Sequence, residues 1–482
     1  MSSVDALSPS VSPSLFDIDL EAHYQKVRQE KIVRKIEDMS EEIVSKHGLK
    51  CPMCKSKLHS HGKTKGKEVW TLAGMVIVTL RRLRCKSCSY LVVPAKHLIA
   101  DGLLSSLAEK FIELCRSNSF ARSRELLNSL LGIDIPVMTL HSYVRRQSRY
   151  FDDEILRATT ALYESGLMPR VDVELGADAP LYLAIDEGLV KEWKYSQKDG
   201  AKTGKKSFVL TYCAVFFDGR ERISGPSATK PRYKLTNRYG HASATTDIDQ
   251  FFSELVMLSF RRGLTSKNTL FILTDGAKYL ARGIENYFPN AIHLLDIFHL
   301  KKKIKKLICE THPLYEVTMQ AVHSYHPEAI IKCIKQVQVF DEDQAVTKEE
   351  LITYIKRNSQ IIKNHKHPKT KVHGSGAAEK SVDLLVARRF KNRGMSWTEK
   401  GCEALLYFCV LAYNNKLKSY WKNRHEQTGL ANTPTKEKPV HTKSLKKTRQ
   451  KHGHYYNQAR LIDCERTKGT NTSSMAASHK LK

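Results

Sequence analysis

Apolar positions along this chain recur with two periods, and the switches between them mark its elements. "EAHYQKVRQEKIVRKIEDMSEEIVSKHG" carries a modest apolar stripe at helical spacing, so residues 1–45 predict a polar start and then a helix. Residues 46–98 change character: "EVWTLAGMVIVTLRRLR" is rich in β-branched and aromatic residues and reads as short strands. Helical spacing returns from about 99 to 170. The segments "LYLAIDEG", "KKSFVLTYCAVFFDG", "RISGPSATKPRYKL", "TTDIDQFFSELVMLSFRRG", "NTLFILTDG", "AKYLARGIENYF" and "AIHLLDIFHL" then predict strand, strand, irregular strand, helix, strand, helix and strand. The unbroken apolar runs "LYLAI" and "LFIL" suit strands covered on both faces. Residues 300–370 are helical and Lys-rich, and the apolar helix "EKSVDLLVARRF" follows. Beyond Trp421 apolar residues become scarce, as in a tail that orders only on a polyanion. The pattern is α/β, without an internal repeat.

Charge adds the first functional constraint. The 482 residues hold 79 Lys and Arg against 50 Asp and Glu, a balance of +29. Such a surplus repels itself unless the partner is anionic, and nucleic acid is the first candidate. A membrane surface is a weaker one, because no apolar run approaches the ~18 residues of a span. The start, "MSSVDALSPSVSPSLFDIDL", has neither the basic flank nor the apolar stretch of a secretory leader. The expected compartment is therefore the cytoplasm, where the eleven cysteines stay reduced.

Four of those cysteines are patterned. Cys51 and Cys54 ("CPMC") and Cys85 and Cys88 ("CKSC") make two C-x-x-C knuckles, with 30 residues between Cys54 and Cys85. Four thiolates close a tetrahedral shell around one Zn²⁺, a structural site with no open position. The gap is longer than the common template and requires a hairpin between the knuckles. Unrelated reduced cysteines are the plain alternative. Downstream, "SFARSRELLNSLLGIDIPVMTLHSYVRRQS" predicts a helix, a turn at Gly132 and a second helix opened by Pro136. That is the order of a helix-turn-helix, whose second helix would offer Thr139, His141, Ser142, Arg145 and Arg146 to a DNA groove. Plain helix packing gives the same pattern.

The acids that matter end strands. Asp186 follows "LYLAI" and Asp275 follows "LFILT", at the edge of an open sheet where active sites gather. Glu379 opens a helix on which Val382, Val386 and Phe390 fall at i+3, i+7 and i+11, so it shares the apolar stripe. An acid there is costly unless paired or metal-bound. Two strand carboxylates and one from a late helix are what a pair of hard cations requires for phosphoryl transfer. Pairing with arginine or helix capping is the structural alternative. Glu187 is predicted on the opposite face of its strand from Asp186, and Asp383 lies one turn beyond Glu379. Asp296 ends another strand, three residues before His299. Arg388, Arg389 and Arg393 are candidates for the DNA backbone, or a solvated helix face.

"AIDEG", "TDGAKYL", "FPNAIHLLDIFHLKK" and "GSGAAEKSVDLLVARRFKNRGMSWTEKG" together resemble the DDE transposases of bacterial insertion sequences, the ISKra-type group first and the ISLre-type group next. The likeness spans roughly residues 45–421. Its most specific pieces are G-S-G-x-x-E at Gly374 to Glu379 and R-G-M-x-W at Arg393 to Trp397. The resemblance implies an RNase H-like catalytic core over residues 177–421 with a helical insertion at about 305–370. Ahead of it would lie a zinc ribbon (46–98) and a helix-turn-helix region (99–176), and after it a basic tail (422–482). It implies a transposase that binds terminal inverted repeats of double-stranded DNA and cuts and joins strands. Asp186, Asp275 and Glu379 would hold two Mg²⁺ (or Mn²⁺) ions, with Asp296 and His299 as an accessory D-x-x-H pair. Two DNA ends must meet, so a homo-oligomer at the nucleoid is expected. The sequence departs from the family at Glu187, where a small residue is usual, and in its long basic tail. A catalytically silent DNA-binding relative and a nuclease on the same fold are the alternatives.

Overall fold

The computed structural model describes residues 13–46, 49–192, 207–225, 232–244, 247–371, 380–391 and 395–428. They fall into two compact units, one running up to Arg146 and resuming at Asn415, the other Gln147–Asn414.

The first unit opens with α1 (Pro13–Lys46), followed by β1 (Leu58–Lys63), β2 (Lys67–Thr71), β3 (Gly74–Val78), β4 (Arg81–Cys85) and β5 (Leu91–Val92). β1, β4 and β5 form an antiparallel sheet in the order β1-β4-β5, and β2 and β3 form the hairpin that the spacing of the knuckles required. In β3, Val76 and Val78 point inward while Met75 and Ile77 face out, the period of a half-buried strand. Val69, Val76, Val78 and Leu80 share a core with Ile36 of α1. Polar contacts add to it: the Glu37 carboxylate accepts from the Thr79 N–H at 3.1 Å and its hydroxyl at 2.7 Å. No core boundary therefore falls at residue 45. Three helices follow, α2 (Ser105–Ser117), α3 (Phe120–Leu131) and α4 (Val137–Ser165), the last running into the second unit.

The second unit is built on a mixed five-stranded sheet. Its strands are β6 (Leu181–Lys191), β7 (Phe208–Phe217), β10 (Tyr239–Ser243), β11 (Leu270–Thr274) and β12 (Ile292–Leu295), in the order β10-β7-β6-β11-β12. β6, β7 and β10 pair antiparallel, whereas β6, β11 and β12 run parallel. The expected irregular strand is instead a separate two-stranded ribbon, β8 (Gly219–Arg222) with β9 (Tyr233–Thr236). One face of the sheet buries Leu183, Ile185, Ala214 and Phe216 against α5 (Ile248–Arg261) and α6 (Lys278–Tyr287). The other carries Tyr182, Ala184, Val215, Phe217, Phe271, Leu273 and Leu294. Tyr182 stacks between Phe217 and Phe271, with ring centroids 5.2 and 5.1 Å away. Apolar cover on both sides is why "LYLAI" and "LFIL" show no alternation.

Directly after β12 come α7 (Ile297–Leu307), α8 (Tyr315–His323), α9 (Pro327–Lys335), α10 (Glu342–Arg357) and α11 (Ser359–Lys363). These helices bury Leu300, Ile304, Val322, Ile330, Ile334, Ile355 and Ile362 in a core of their own. Residues 380–390 are helical, and α12 (Glu399–Tyr413) and α13 (Leu417–Thr428) follow. Both sheet edges are closed by side chains. Asn414 accepts from the Gly240 N–H and donates to its carbonyl, both at 2.7 Å, taking the place of a sixth strand beside β10. At β12, Asn364 donates to the His293 carbonyl at 2.8 Å and the His365 ring to the Leu295 carbonyl at 2.7 Å. Unpaired strand edges invite association with other chains, and these contacts occupy part of each edge.

Candidate active site

Strand register makes the central feature. Ala184 of β6 lies beside Leu273 of β11, and Thr274 of β11 beside Leu295 of β12. Continuing those ladders puts Asp186, Asp275 and Asp296 next to one another across three parallel strands. The Asp296 N–H donates to the Thr274 carbonyl at 2.7 Å, which carries the last ladder past its final pair. Side chains two apart on a strand share a face. The three aspartates therefore form the next row beyond Ala184, Leu273 and Leu294, where the apolar face ends and becomes acidic.

Each aspartate has a local anchor. Asp186 accepts from the Glu187 N–H at 2.8 Å, and Asp275 from the Ala277 N–H at 2.9 Å. Asp296 caps α7 by accepting from the Phe298 N–H at 2.9 Å. His299, one turn on, brings its Nε2 to 3.5 Å from the other Asp296 oxygen. The carboxyl of Asp186 is pushed up to about 6, first by burial and then by the charges of Asp275 and Asp296; the Glu187 N–H and His299 oppose this. Burial also pushes the His293 imidazole down to about 4, so it is neutral where it meets the Thr274 hydroxyl at 2.8 Å.

Glu187 lies on the other face, as alternation predicts, and accepts a hydrogen bond from the Tyr279 hydroxyl in the first turn of α6. Opposite Asp186 on β7 stands Cys213. Two residues beyond Asp186 on the same face, a Cβ at Gly188 would touch Thr211 Oγ1 at 2.8 Å, Val386 at 3.4 Å and Lys391 Nζ at 3.7 Å. The helical segment 380–390 thus packs on the face of β6 that carries Asp186. Val382, Val386 and Phe390 are buried, as their spacing predicts, and a π-turn at Asp383–Ala387 brings Leu385 inside as well. Glu379, Arg393 and the G-S-G-x-x-E stretch lie outside the described residues, as does the chain beyond 428. Arg388 pairs with Asp383 at 2.7 Å. Arg389 is only 3% exposed, with its guanidinium over the Trp397 ring at 4.7 Å, so here it serves the core and no solvated face.

The cysteine knuckles form a second constellation. The sulfurs of Cys51, Cys54, Cys85 and Cys88 all lie within 4.8 Å of one another. Measured pairs are 3.5 Å for Cys51–Cys88, 3.4 Å for Cys54–Cys85 and 3.5 Å for Cys54–Cys88. A Zn–S bond of ~2.3 Å in a tetrahedron separates sulfurs by roughly 3.8 Å, so the set fits one zinc ion. Left-handed residues, Lys55 (φ 61) and Ser89 (φ 56), follow the second cysteine of each knuckle and make the tight turn that curls it. Among the described residues this is the one group of three or more Cys, His, Asp or Glu ligands drawn that close. The aspartates share a row without reaching that mutual distance.

In the helical region, Ser119 caps α3 by accepting from the Arg122 N–H at 3.1 Å, and Gly132 ends it in the left-handed conformation (φ 62). α4 then starts after Pro136, as expected. Arg146 is exposed, while Thr139, His141, Ser142 and Arg145 are half-buried. His141 turns its ring edge to Phe120, with centroids 5.4 Å apart. Burial, and then Arg145, lower its pKa.

Residues 213–425 match the family described as Uncharacterised protein family (UPF0236). The match covers less than half of the chain; it includes Asp275 and Asp296 and begins downstream of Asp186. Among solved structures, the chain is similar to one from the Drosophila P element transposase strand transfer complex. Sequence identity is 11%, the TM-score is 0.22, and the alignment covers 77% of this chain and 92% of that one. A TM-score of that size does not define a shared fold. No curated protein matches the chain in sequence. No helix among the described residues is long and apolar enough to cross a membrane.

Three residues near the row carry no signal in the sequence. Tyr354, Tyr279 and Lys391 are ordinary in their own segments, and only the fold brings them to Asp275, Glu187 and Gly188.

Proposed function

We propose that this protein is a transposase that cuts and joins DNA strands with metal assistance, its catalytic acids being Asp186, Asp275 and Glu379. One observation carries the reading: Asp186, in mid β6 just past its last pair with β11, and Asp275, just past the end of β11, continue the register of adjacent parallel strands of a mixed sheet, with Asp296 beside them. The strand order β10-β7-β6-β11-β12 is the one an RNase H-like core requires, with a helical insertion after β12.

Burial, with neighbouring carboxylates adding to it, raises the pKa of Asp186, and a divalent cation relieves such an environment. Asp186, Asp275 and Glu379 would hold two Mg²⁺ (or Mn²⁺) ions, which when bound activate the attacking oxygen and stabilise the leaving one. On the α-helical spacing read from the sequence Glu379 would share the stripe of Val382, ahead of a segment whose Val386 lies against β6 beside Gly188. The chain's own groups orient the rest. The Asp296–His299 pair stands at the end of the row, and Lys391 offers a positive charge near the strand that carries Asp186.

Water would attack the phosphodiester at an element end and the 3′-oxygen would leave as a hydroxyl. That 3′-hydroxyl then attacks a target phosphodiester and displaces the target strand's own 3′-oxygen, and no protein–DNA covalent link forms. Thr139, Arg145, Arg146 and Arg388 are the side chains proposed to meet DNA. The cysteine cluster is proposed to hold zinc and stabilise the domain that grips the repeats, and two copies of the chain would bring two ends together.

The test is cleavage of a duplex containing the inverted repeat that flanks the gene, with Mg²⁺ present. Asp186→Asn, Asp275→Asn and Glu379→Gln should each lower the rate at least about 100-fold, the scale expected when a group acting at the reacting centre is lost. Wild-type cleavage in any of them would remove that residue from the site. Joined strand-transfer product separates a transposase from a nuclease.

A further inference from the structure

The turn that carries Asp275 is gripped from outside the sheet by one face of α10. Tyr354, Arg357 and Asn358 stand at i, i+3 and i+4, so they line that face together. The Tyr354 hydroxyl donates to the Asp275 carbonyl at 2.7 Å, and an Arg357 N–H donates to the Gly276 carbonyl at 3.2 Å. Gly276 has φ +81, and a Cβ there would meet side-chain atoms of Asn358 at 2.8 to 2.9 Å. Asn358 is itself fixed: it is 5% exposed and donates to the Tyr354 carbonyl at 2.9 Å. These contacts end on backbone atoms and on the glycine. None of them takes up the Asp275 carboxylate, one oxygen of which accepts from the Ala277 N–H at 2.9 Å.

We infer that α10 is a positioning element for the site, and that Tyr354, Arg357 and Asn358 are positioning residues that set the direction of the Asp275 carboxylate. The inference rests on Asp275 being a metal ligand, as proposed above. A carboxylate on a free turn samples many orientations, and holding it in one removes an entropic cost from cation binding. The helical insertion thereby acts on the chemistry through its helix α10, whatever else it binds.

The experiment uses the full chain and Mn²⁺, followed by electron paramagnetic resonance of the free ion. Tyr354→Phe keeps the ring, which Lys303 and Arg357 flank at 4.8 and 5.7 Å, and removes only the hydroxyl. Arg357→Gln alters an exposed side chain and keeps the test available should the first variant not fold. Each should weaken Mn²⁺ binding about 2- to 10-fold, the scale of one hydrogen bond. Each should also slow cleavage at saturating DNA in proportion while leaving DNA affinity and zinc content unchanged. Wild-type Mn²⁺ affinity in both variants, alongside a loss in Asp275→Asn, would overturn the inference alone. Wild-type Mn²⁺ binding in Asp275→Asn would overturn the metal site and the inference with it.

Discussion

At Asp186, burial and the charges of Asp275 and Asp296 push in one direction, and the carboxyl rises to about 6. An unfolded aspartate titrates near ~3.9. A carboxyl raised by folding stabilises the protein fully only below its unfolded pKa, and that contribution is lost as the pH climbs through the folded value. The cation-free protein should thus lose up to roughly 3 kcal/mol from this one group between about pH 4 and pH 7, at ~1.4 kcal/mol per unit. Asp186→Asn cannot ionise. It should melt above the wild type near pH 7 without divalent ions, match it near pH 4, and lose its advantage when Mg²⁺ is added. Equal melting at both pH values would mean that the Asp186 carboxylate is not strained. Strand alternation turns its neighbour Glu187 to the opposite face, where Tyr279 donates to it.

The elements that position these residues differ in what keeps them folded. β1, β4 and β5 total few residues, and their core of Cys51, Leu58, Leu83, Cys85 and Val92 includes two of the four thiols. So small an apolar cluster is one that the zinc proposed for the four thiols would stabilise. Cys85→Ser, or a strong chelator, should release one equivalent of zinc and open residues 49–92 to protease, while the sheet that carries Asp186 stays intact; proteolysis followed by mass spectrometry reads both. Retention of the fold without metal would make the knuckles incidental. The hairpin between them was legible in the sequence because the knuckle spacing demanded extra chain. The buried strands β6 and β11 and the helix stripe of Val382, Val386 and Phe390 were legible from apolar period. β10 was not: "YGHAS" is wholly buried but built of small and polar residues. It is a strand because β7 pairs with it on one side and Asn414 closes the other. Asp275 was legible as a strand end; the sequence predicts one at Asp186 too, but β6 continues to Lys191 because β7 pairs with it past the point where β11 stops. The alignment of both with Asp296 depends on which strands are neighbours, and that is a property of the sheet. The π-turn at Asp383–Ala387 carries no local signature either.

Across the whole chain the two signs of charge are distributed differently, and this separates binding from chemistry. The surplus of +29 is spread along the sequence, whereas Asp186, Asp275 and Asp296 are gathered in one row. α7 leads away from that row at Asp296 and exposes Lys302, Lys303, Lys305 and Lys306 along its solvent side. Lys305 is engaged with Glu310 at 2.5 Å. Each cation that meets a phosphate releases a counterion, so binding should weaken linearly in log salt, by a slope of about 0.9 per contact. Burial shields the acid row from the same screening. Raising the salt should therefore weaken DNA binding steeply while leaving the cleavage rate at saturating DNA nearly constant. Lys302→Gln, Lys306→Gln and Arg146→Ala should each lower the slope by up to about one and leave that rate unchanged. Filter binding across a salt series gives the slopes, and single-turnover cleavage gives the rate. A slope near zero would mean that the basic surplus has some other partner, whereas a rate that falls with salt at saturation would bring these cations into the reaction itself.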